Sequence, residues 1–288
     1  MRRFIKLLFI VLGTLSGLNT FAQESTPKHD YDFYFHWGYN RSQYSRSDIH
    51  FKGGDDFDFT IKDVSARDVP ERFSTDAYLN PKKITIPQFN FRLGVKIDDK
   101  WAISFGWDHL KYFVRRDQDL IIDGRIGAVG GDFAGNYDNQ LTNIPGSFLE
   151  MEHTDGLNFI HLNADRIFKL YEKKWFKAQF VTGFGTGPVC PWTDTRLFDT
   201  FYRNPSIHFA GWGISVNASP RVTLFDRFFV EGLFRVGHIQ LWDVMIIRNK
   251  YTAAQKINYY EHNITAGFIF PLNPSKNGNS GTITPGTR

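Results

Sequence analysis

The sequence predicts an all-β chain: one antiparallel, eight-stranded transmembrane β-barrel, or alternatively a ten-stranded one, with long extracellular loops. Three observations predict it. Phe, Tyr and Trp make up 17% of the 288 residues. Yet no stretch after residue 22 approaches the roughly 20 apolar residues that a membrane helix needs. Eight segments instead alternate apolar and polar residues with the period of a strand. The links between them alternate short and long, as in a barrel whose turns are tight on one side of a membrane and extended on the other.

The chain opens with MRRFIKLLFIVLGTLSGLNTFAQ. Arg2, Arg3 and Lys6 precede an apolar run from Leu7 to Leu18, and the small residues Thr20 and Ala22 stand just before Gln23. This order predicts a secretory signal peptide over 1–22, with an uncleaved anchor as the alternative. Gln23 is not Cys, so a lipidated N-terminus is not indicated. The formal charge is +4 and falls to +1 without Arg2, Arg3 and Lys6. A nearly neutral exported chain gives no electrostatic case for nucleic-acid binding. Cys190 is the single cysteine, so no intramolecular disulfide can form.

The eight segments follow in order. Phe33, Phe35, Trp37 and Tyr39 alternate with Tyr34, His36, Gly38 and Asn40. Phe89 to Ile97 carries Gln88, Asn90, Arg92, Gly94 and Lys96 on its other face. Trp101, Ile103, Phe105 and Trp107 alternate with Ala102, Ser104, Gly106 and Asp108. Ile160, Leu162 and Ala164 alternate with His161, Asn163 and Asp165. The fifth segment starts at Phe176, the sixth at Ala210, the seventh at Val230, and the eighth runs from Asn263 to Phe270. DDK (98–100), YEKK (171–174) and SPRVTLFD (219–226) are the short links. The links after the first, third, fifth and seventh segments are long. SDIHF and FDFTIKDV, inside the first long link, read as a hairpin above the membrane or as two further spanning strands.

A soluble, lipocalin-like barrel has the same period with its apolar face inward. Three features favour the inverted arrangement. The polar face is Gly, Ser, Asn and Thr rather than the Lys and Glu of a water-facing strand. Its few charges nearly cancel: Arg92, Lys96, Lys177 and Arg235 against Asp108, Asp165, Glu231 and Glu261. Buried charges need partners, so these eight are the expected ion-pair network of the lumen. Trp37, Tyr39, Trp101, Trp107 and Phe270 stand at ends of the apolar stripes, where interfacial aromatic girdles belong.

FHWGYNRSQYSRSDIHFKG, FRLGVKIDDKWAISFGWDHLKY and EHTDGLNFIHLNADRIF resemble segments of a poorly characterised family of outer-membrane β-barrel proteins from Bacteroidetes-type Gram-negative bacteria. The likeness covers most of residues 30–272. It implies the barrel fold and the outer membrane, and brings no catalytic residues. The last strand, ending at Phe270, resembles the terminal strand that serves as an insertion signal in bacterial outer-membrane proteins. That implies the barrel-assembly machinery as a partner, together with outer-membrane lipid and lipopolysaccharide. Here Pro271 to Arg288 follow, so the signal is internal, the barrel spans 23–273 and 274–288 is a disordered periplasmic tail.

Several constellations invite chemistry. His36, His161, Asn40, Asp108 and Ser104 share the lumen face, as a Ser/His/Asp set or as groups that hydrogen-bond one another. His109, Glu261 and His262 fall at the extracellular level, where a His–acid pair could serve a lipid hydrolase or acyltransferase as a general base. Interfacial packing is the plainer role, and no G-x-S-x-G motif accompanies them. GGDDFD and DQDLIIDG match no calcium-loop spacing. GFGTG (183–187) lacks the helix start of a phosphate loop. Trp192, Arg196, Phe198, Tyr202 and Arg203 fall in one long loop, as a binding surface or as loop packing. The expected function is non-enzymatic: an integral outer-membrane protein with a structural or surface-binding role. A lipid-modifying enzyme and a small channel are the alternatives. No cofactor and no metal is expected.

Overall fold

Eight strands hydrogen-bond edge to edge into a ring that returns to its start. The computed structural model describes residues 31–203 and 206–271. The signal peptide expected over 1–22 and the tail over 274–288 lie outside the described residues. In chain order the elements are β1 (Asp32–Tyr44), β2 (Ser47–Lys52), β3 (Phe57–Val64), β4 (Ala66–Arg67), a short helix α1 (Thr75–Leu79), β5 (Phe89–Lys96), β6 (Trp101–Val114), β7 (Gln118–Ile126), β8 (Gly135–Ile144), β9 (Leu149–Lys173), β10 (Phe176–Pro191), β11 (Asp194–Leu197), β12 (Thr200–Arg203), β13 (Gly211–Leu224), β14 (Phe228–Ile247) and β15 (Tyr251–Pro271). The ring runs β1–β5–β6–β9–β10–β13–β14–β15. It closes where β15 pairs with β1, from Pro271 opposite Asp32 to Tyr259 opposite Tyr44.

The register fixes the shape of the ring. From Phe35 the pairing passes through Leu93, Phe105, Leu162, Thr186 and Ile214 to His238. In the other direction it passes through Phe268 to Phe228. The two routes meet β14 ten residues apart. With ~3.3 Å per residue and ~4.8 Å between strands, that stagger tilts eight strands by about 40°. At that tilt a ~25 Å apolar band takes about ten residues of strand. β15 has 21 residues and β14 has 20, so both stand well beyond such a band.

The links at 97–100, 174–175 and 225–227 gather at one end of the ring with Asp32 and Pro271, here the turn end. At the other, the loop end, β2 pairs with the start of β15, β3 with β2, β7 with β3 and β8 with β7. SDIHF and FDFTIKDV are thus β2 and β3, a hairpin beside the ring rather than members of it. β11 pairs with β9 and β12, and β4 pairs with β6 at Phe113 and Val114.

Two links differ from the sequence expectation. Residues 219–226 are mostly strand, because β13 continues through Pro220 to Leu224. Pro220 has no N–H to donate, and it sits where the β13–β14 ladder passes from Ala218–Phe234 to Arg221–Glu231 with no paired residues between. The long link expected after the seventh segment is a tight turn at 248–250, because β14 and β15 continue as a hairpin far above the apolar stripes. Their alternation persists but changes sense, which hid them from a search for apolar stripes on one face.

Candidate functional site

The interior of the ring is stacked in three layers. At the turn end, Tyr34, Ala102, Ile167, Val181, Phe229 and Ile269 form a small buried apolar cluster. Arg221 completes it, its guanidinium 4.6 Å from the Phe229 ring centre and 5.8 Å from that of Tyr34. The middle layer is polar. At the loop end a large apolar core includes Phe51, Phe57, Phe59, Leu110, Met151 and Ile257.

Strand alternation sends the polar side chains of the middle layer to the axis. Arg92 Nη1 lies 3.3 Å from Asp165 Oδ2, both buried. Arg235 pairs with Asp108. His161 Nε2 lies 3.0 Å from Asp108 Oδ2, and its Nδ1 is 2.7 Å from the side-chain amide of Asn163. Asn90 Nδ2 donates to Asp108 Oδ1 at 2.6 Å and to Glu261 Oε1 at 2.5 Å. Asn263 adds a donor to Glu261 at 3.1 Å. His36 Nδ1 meets Thr265 Oγ1 at 3.2 Å, and Gln88 Nε2 donates to Asn40 Oδ1 at 3.2 Å. Buried charge is tolerable here because opposite charges and amides surround it. Glycine lets the layer close at GFGTG. A Cβ at Gly183 would collide with the Asp165 carboxylate, and one at Gly185 would come within 2.5 Å of Asn163 Oδ1.

Of the eight charges expected in this network, Arg92, Asp108, Asp165, Glu231, Arg235 and Glu261 are buried inside the ring. Lys96 and Lys177 are not part of it. Lys96 reaches Asp32 at 3.4 Å, and Lys177 reaches Glu172 at 2.9 Å and Asp226 at 2.7 Å, all at the turn-end rim. Long side chains one or two residues from a strand end reach water, and burial would cost more. Glu231 pairs with a residue the sequence reading missed: Arg221 donates from Nε at 2.7 Å and from Nη2 at 2.6 Å to Glu231 Oε2. Arg221 continues the inward parity of Asn217 and Ser219. Reading Pro220 as a turn concealed it.

The lumen set resolves into the same network. Asp108 and His161 meet, but their other polar contacts are Asn90, Arg235 and Asn163, and both side chains are fully buried. The pair proposed for lipid chemistry does not assemble. Glu261 is buried inside the ring, whereas His262, the next residue on the strand, is exposed outside it beside Tyr260. Consecutive strand residues face opposite ways, so no His262–Glu261 dyad forms. His109 stacks on Phe89 with ring centres 5.0 Å apart and meets Asn158 Oδ1 at 2.9 Å, with β1 and β5 between it and β15.

The loop candidates divide. Phe198 packs into the upper core against Phe57, Phe59 and Phe148, and Tyr202 packs edge-on to Tyr251. Arg196 reaches Glu150 at 3.7 Å and Arg203 reaches Asp194 at 3.8 Å. Trp192 is half-buried beside them. What remains open is a cleft of about 530 Å³ between the β11–β12 and β14–β15 hairpins, where Phe201, Tyr202, Arg203, Met245, Ile247 and Arg248 meet. The acidic clusters are tied down. Asp56 accepts from the Tyr251 hydroxyl at 2.5 Å and from Lys250 at 3.0 Å, contacts that hold its carboxyl below the usual range. Asp58 meets His50 at 2.7 Å, Asp119 accepts from Asn143 at 2.8 Å, and Asp123 lies 3.6 Å from Lys62.

No family model matches the chain, and no curated relative matches it in sequence. Similar solved structures include the outer membrane protein OprG from Pseudomonas aeruginosa, at 9% identity and a TM-score of 0.39 over 84% of this chain and 97% of that one. The outer membrane protease OmpT from Escherichia coli follows at 10% identity and 0.33, over 86% and 99%. Ail, the attachment invasion locus protein of Yersinia pestis, solved with the heparin analogue sucrose octasulfate, gives 7% identity and 0.31 over 84% and 99%. The chain's structural neighbours thus include Gram-negative outer-membrane proteins that differ in what they do.

Proposed function

We infer that the chain is an integral outer-membrane protein, an eight-stranded transmembrane barrel whose role is structural or surface-binding and is exercised at the loop end. It fits the Bacteroidetes-type family that the sequence segments resemble. One observation carries the reading: β14 and β15 exchange the chemistry of their two faces partway along. Between Tyr260 and Phe270 the outward residues of β15 include Ile264, Ala266 and Phe268, and the inward ones include Glu261, Asn263 and Thr265. Between Tyr251 and Tyr259 the inward residues include Tyr251, Ala253 and Ile257, and the outward ones include Lys256 and Asn258. The lower half suits lipid outside, and the upper half suits water outside. An apolar layer at each end of the polar layer argues against a pore. The separated Glu261 and His262 argue against the lipid-enzyme alternative. The cleft at Phe201 and Arg203 offers an open surface at the loop end for a partner.

Gel mobility of the purified protein with and without boiling tests the barrel. A shift abolished by boiling is expected. No shift, with solubility in buffer free of detergent, overturns the reading. In planar bilayers the sealed interior gives no discrete conductance, and steady unitary currents would restore the channel.

A further inference from the structure

The segment 68–88 links β4 to β5 along the outside of the ring, and it exposes large apolar side chains outside the strands. Phe73 is 79% exposed, Leu79 70% and Ile86 46%. In a loop bathed by water such a group is out of place. Its position explains it. The Tyr39 hydroxyl donates to the Tyr78 carbonyl, and the two rings pack 4.7 Å apart. Tyr39 is an outward residue of the apolar band, opposite Phe89 on one side and Ile264 on the other. α1 therefore stands beside the upper part of the band rather than above it, and Leu79 follows Tyr78 directly.

Several polar groups of the segment are paired within it. Tyr78 N–H donates to Ser74 O at 3.0 Å, Ile84 to Asn80 O at 3.0 Å and Ile86 to Lys83 O at 2.9 Å. The Ser74 hydroxyl caps α1 by accepting from Ala77 N–H at 3.1 Å. Lys83 Nζ lies 2.5 Å from Asp76 Oδ2, and Asn80 donates to Asp76 at 3.0 Å. A backbone next to lipid must be satisfied locally, because hydrocarbon offers no partners. Arg72 adjoins Phe73, Lys82 lies between Leu79 and Ile86, and both match the phosphates of a headgroup layer.

We propose that segment 68–88 is an interfacial anchor that lies in the outer leaflet, with Phe73, Leu79 and Ile86 among the acyl chains and Arg72 and Lys82 at headgroup phosphates. The inference rests on the membrane placement given above. It assigns to lipid a surface that strand alternation alone leaves out, and it widens the lipid contact on the β1–β5 side of the ring.

Spin labels test it in phosphatidylethanolamine–phosphatidylglycerol vesicles. Single cysteines replace Phe73, Leu79, Ile264 or Leu141 in a Cys190→Ser background. Collision with oxygen against a water-soluble nickel chelate reads immersion. Ile264, on the lipid-facing band, is the lipid standard, and Leu141, on β8, is the water standard. Labels at Phe73 and Leu79 that match Ile264 bear out the anchor. Labels that match Leu141 while Ile264 reads lipid overturn the anchor and leave the barrel standing. An Ile264 label that itself reads water overturns the membrane placement, and the anchor with it.

Discussion

β9, β14 and β15 run through both the lower ring and the upper core with opposite chemistry on their inward faces, while β2, β3 and β7, outside the ring, complete the upper core. Along β15 the odd-numbered residues point inward throughout. Near the loop end they are Tyr251, Ala253 and Ile257 in an apolar core, with Gln255 among them bonded to Ser47 and Tyr112, and below Tyr259 they become Glu261, Asn263 and Thr265 in a polar layer. β14 makes the same exchange, from Ile239 and Leu241 to Arg235 and Glu231. The inward parity of β15 does not change across the boundary, although its partner passes from β1 to β2. On the membrane placement proposed above, the exchange follows the medium outside: apolar residues go inward where water surrounds the sheet and outward where lipid does. Period two measures the pleat alone and says nothing of which face is dry.

The comparison breaks first at the buried charges. Arg235→Ala leaves Asp108 buried without its guanidinium, and loss of one partner of a buried pair costs about 3–5 kcal/mol. Urea midpoints in detergent should fall accordingly, and Arg235→Met combined with Asp108→Leu should recover most of the loss. Equal loss in the single and double variants would mean that the pair is not what the middle layer depends on.

The upper core offers a loss of similar size with a different reach. Phe59→Ala should cost about 3–5 kcal/mol through the cavity among Phe51, Phe57, Phe148 and Phe198. Protease sensitivity should rise in β2, β3 and β7, while the boiling-dependent gel shift survives. If the shift disappears as well, the two halves fold as one unit.

A smaller contrast sharpens the boundary. Ile264→Arg, in the outward band, should cost up to about 2–4 kcal/mol, the full amount applying at the bilayer midplane. Leu141→Arg, on the outer β8, should stay within about 0.5 kcal/mol. Both residues are strongly exposed, so equal costs would deny that their surroundings differ.

The smallest effect is a pH response at α1. The Lys83 ammonium and then the Asn80 amide hold the Asp76 carboxyl below its ordinary value. A depressed folded value means that the tether is intact above the ordinary carboxylate pKa of about 4 and is lost as pH falls through the folded value. A spin label at Phe73 should keep one line shape from neutral pH down to that range and become more mobile below it. Lys83→Met should give the mobile spectrum already at neutral pH.

Much of this was legible in the chain. The eight apolar stripes mark the eight ring strands, and Arg92, Asp108, Asp165, Arg235 and Glu261 are all on the inward face that their parity assigns. The upper halves of β9, β14 and β15 were illegible because their apolar residues sit on the opposite parity, which reads as the end of a stripe. Arg221 was hidden by Pro220. Phe198 and Tyr202 looked like a binding surface because composition does not distinguish an aromatic residue that meets a partner from one that meets Phe57 or Tyr251.

By itself the sequence determined the lower parts of the eight ring strands and the parity of their side chains. These are local properties: each follows from neighbours along the chain and the pleat of a strand. Tertiary structure alone decided the stagger of the ring and the partner of each charge. It alone placed α1 against Tyr39. Those depend on register between residues far apart in sequence, set by closure of the ring and packing of its interior, and no local pattern encodes them.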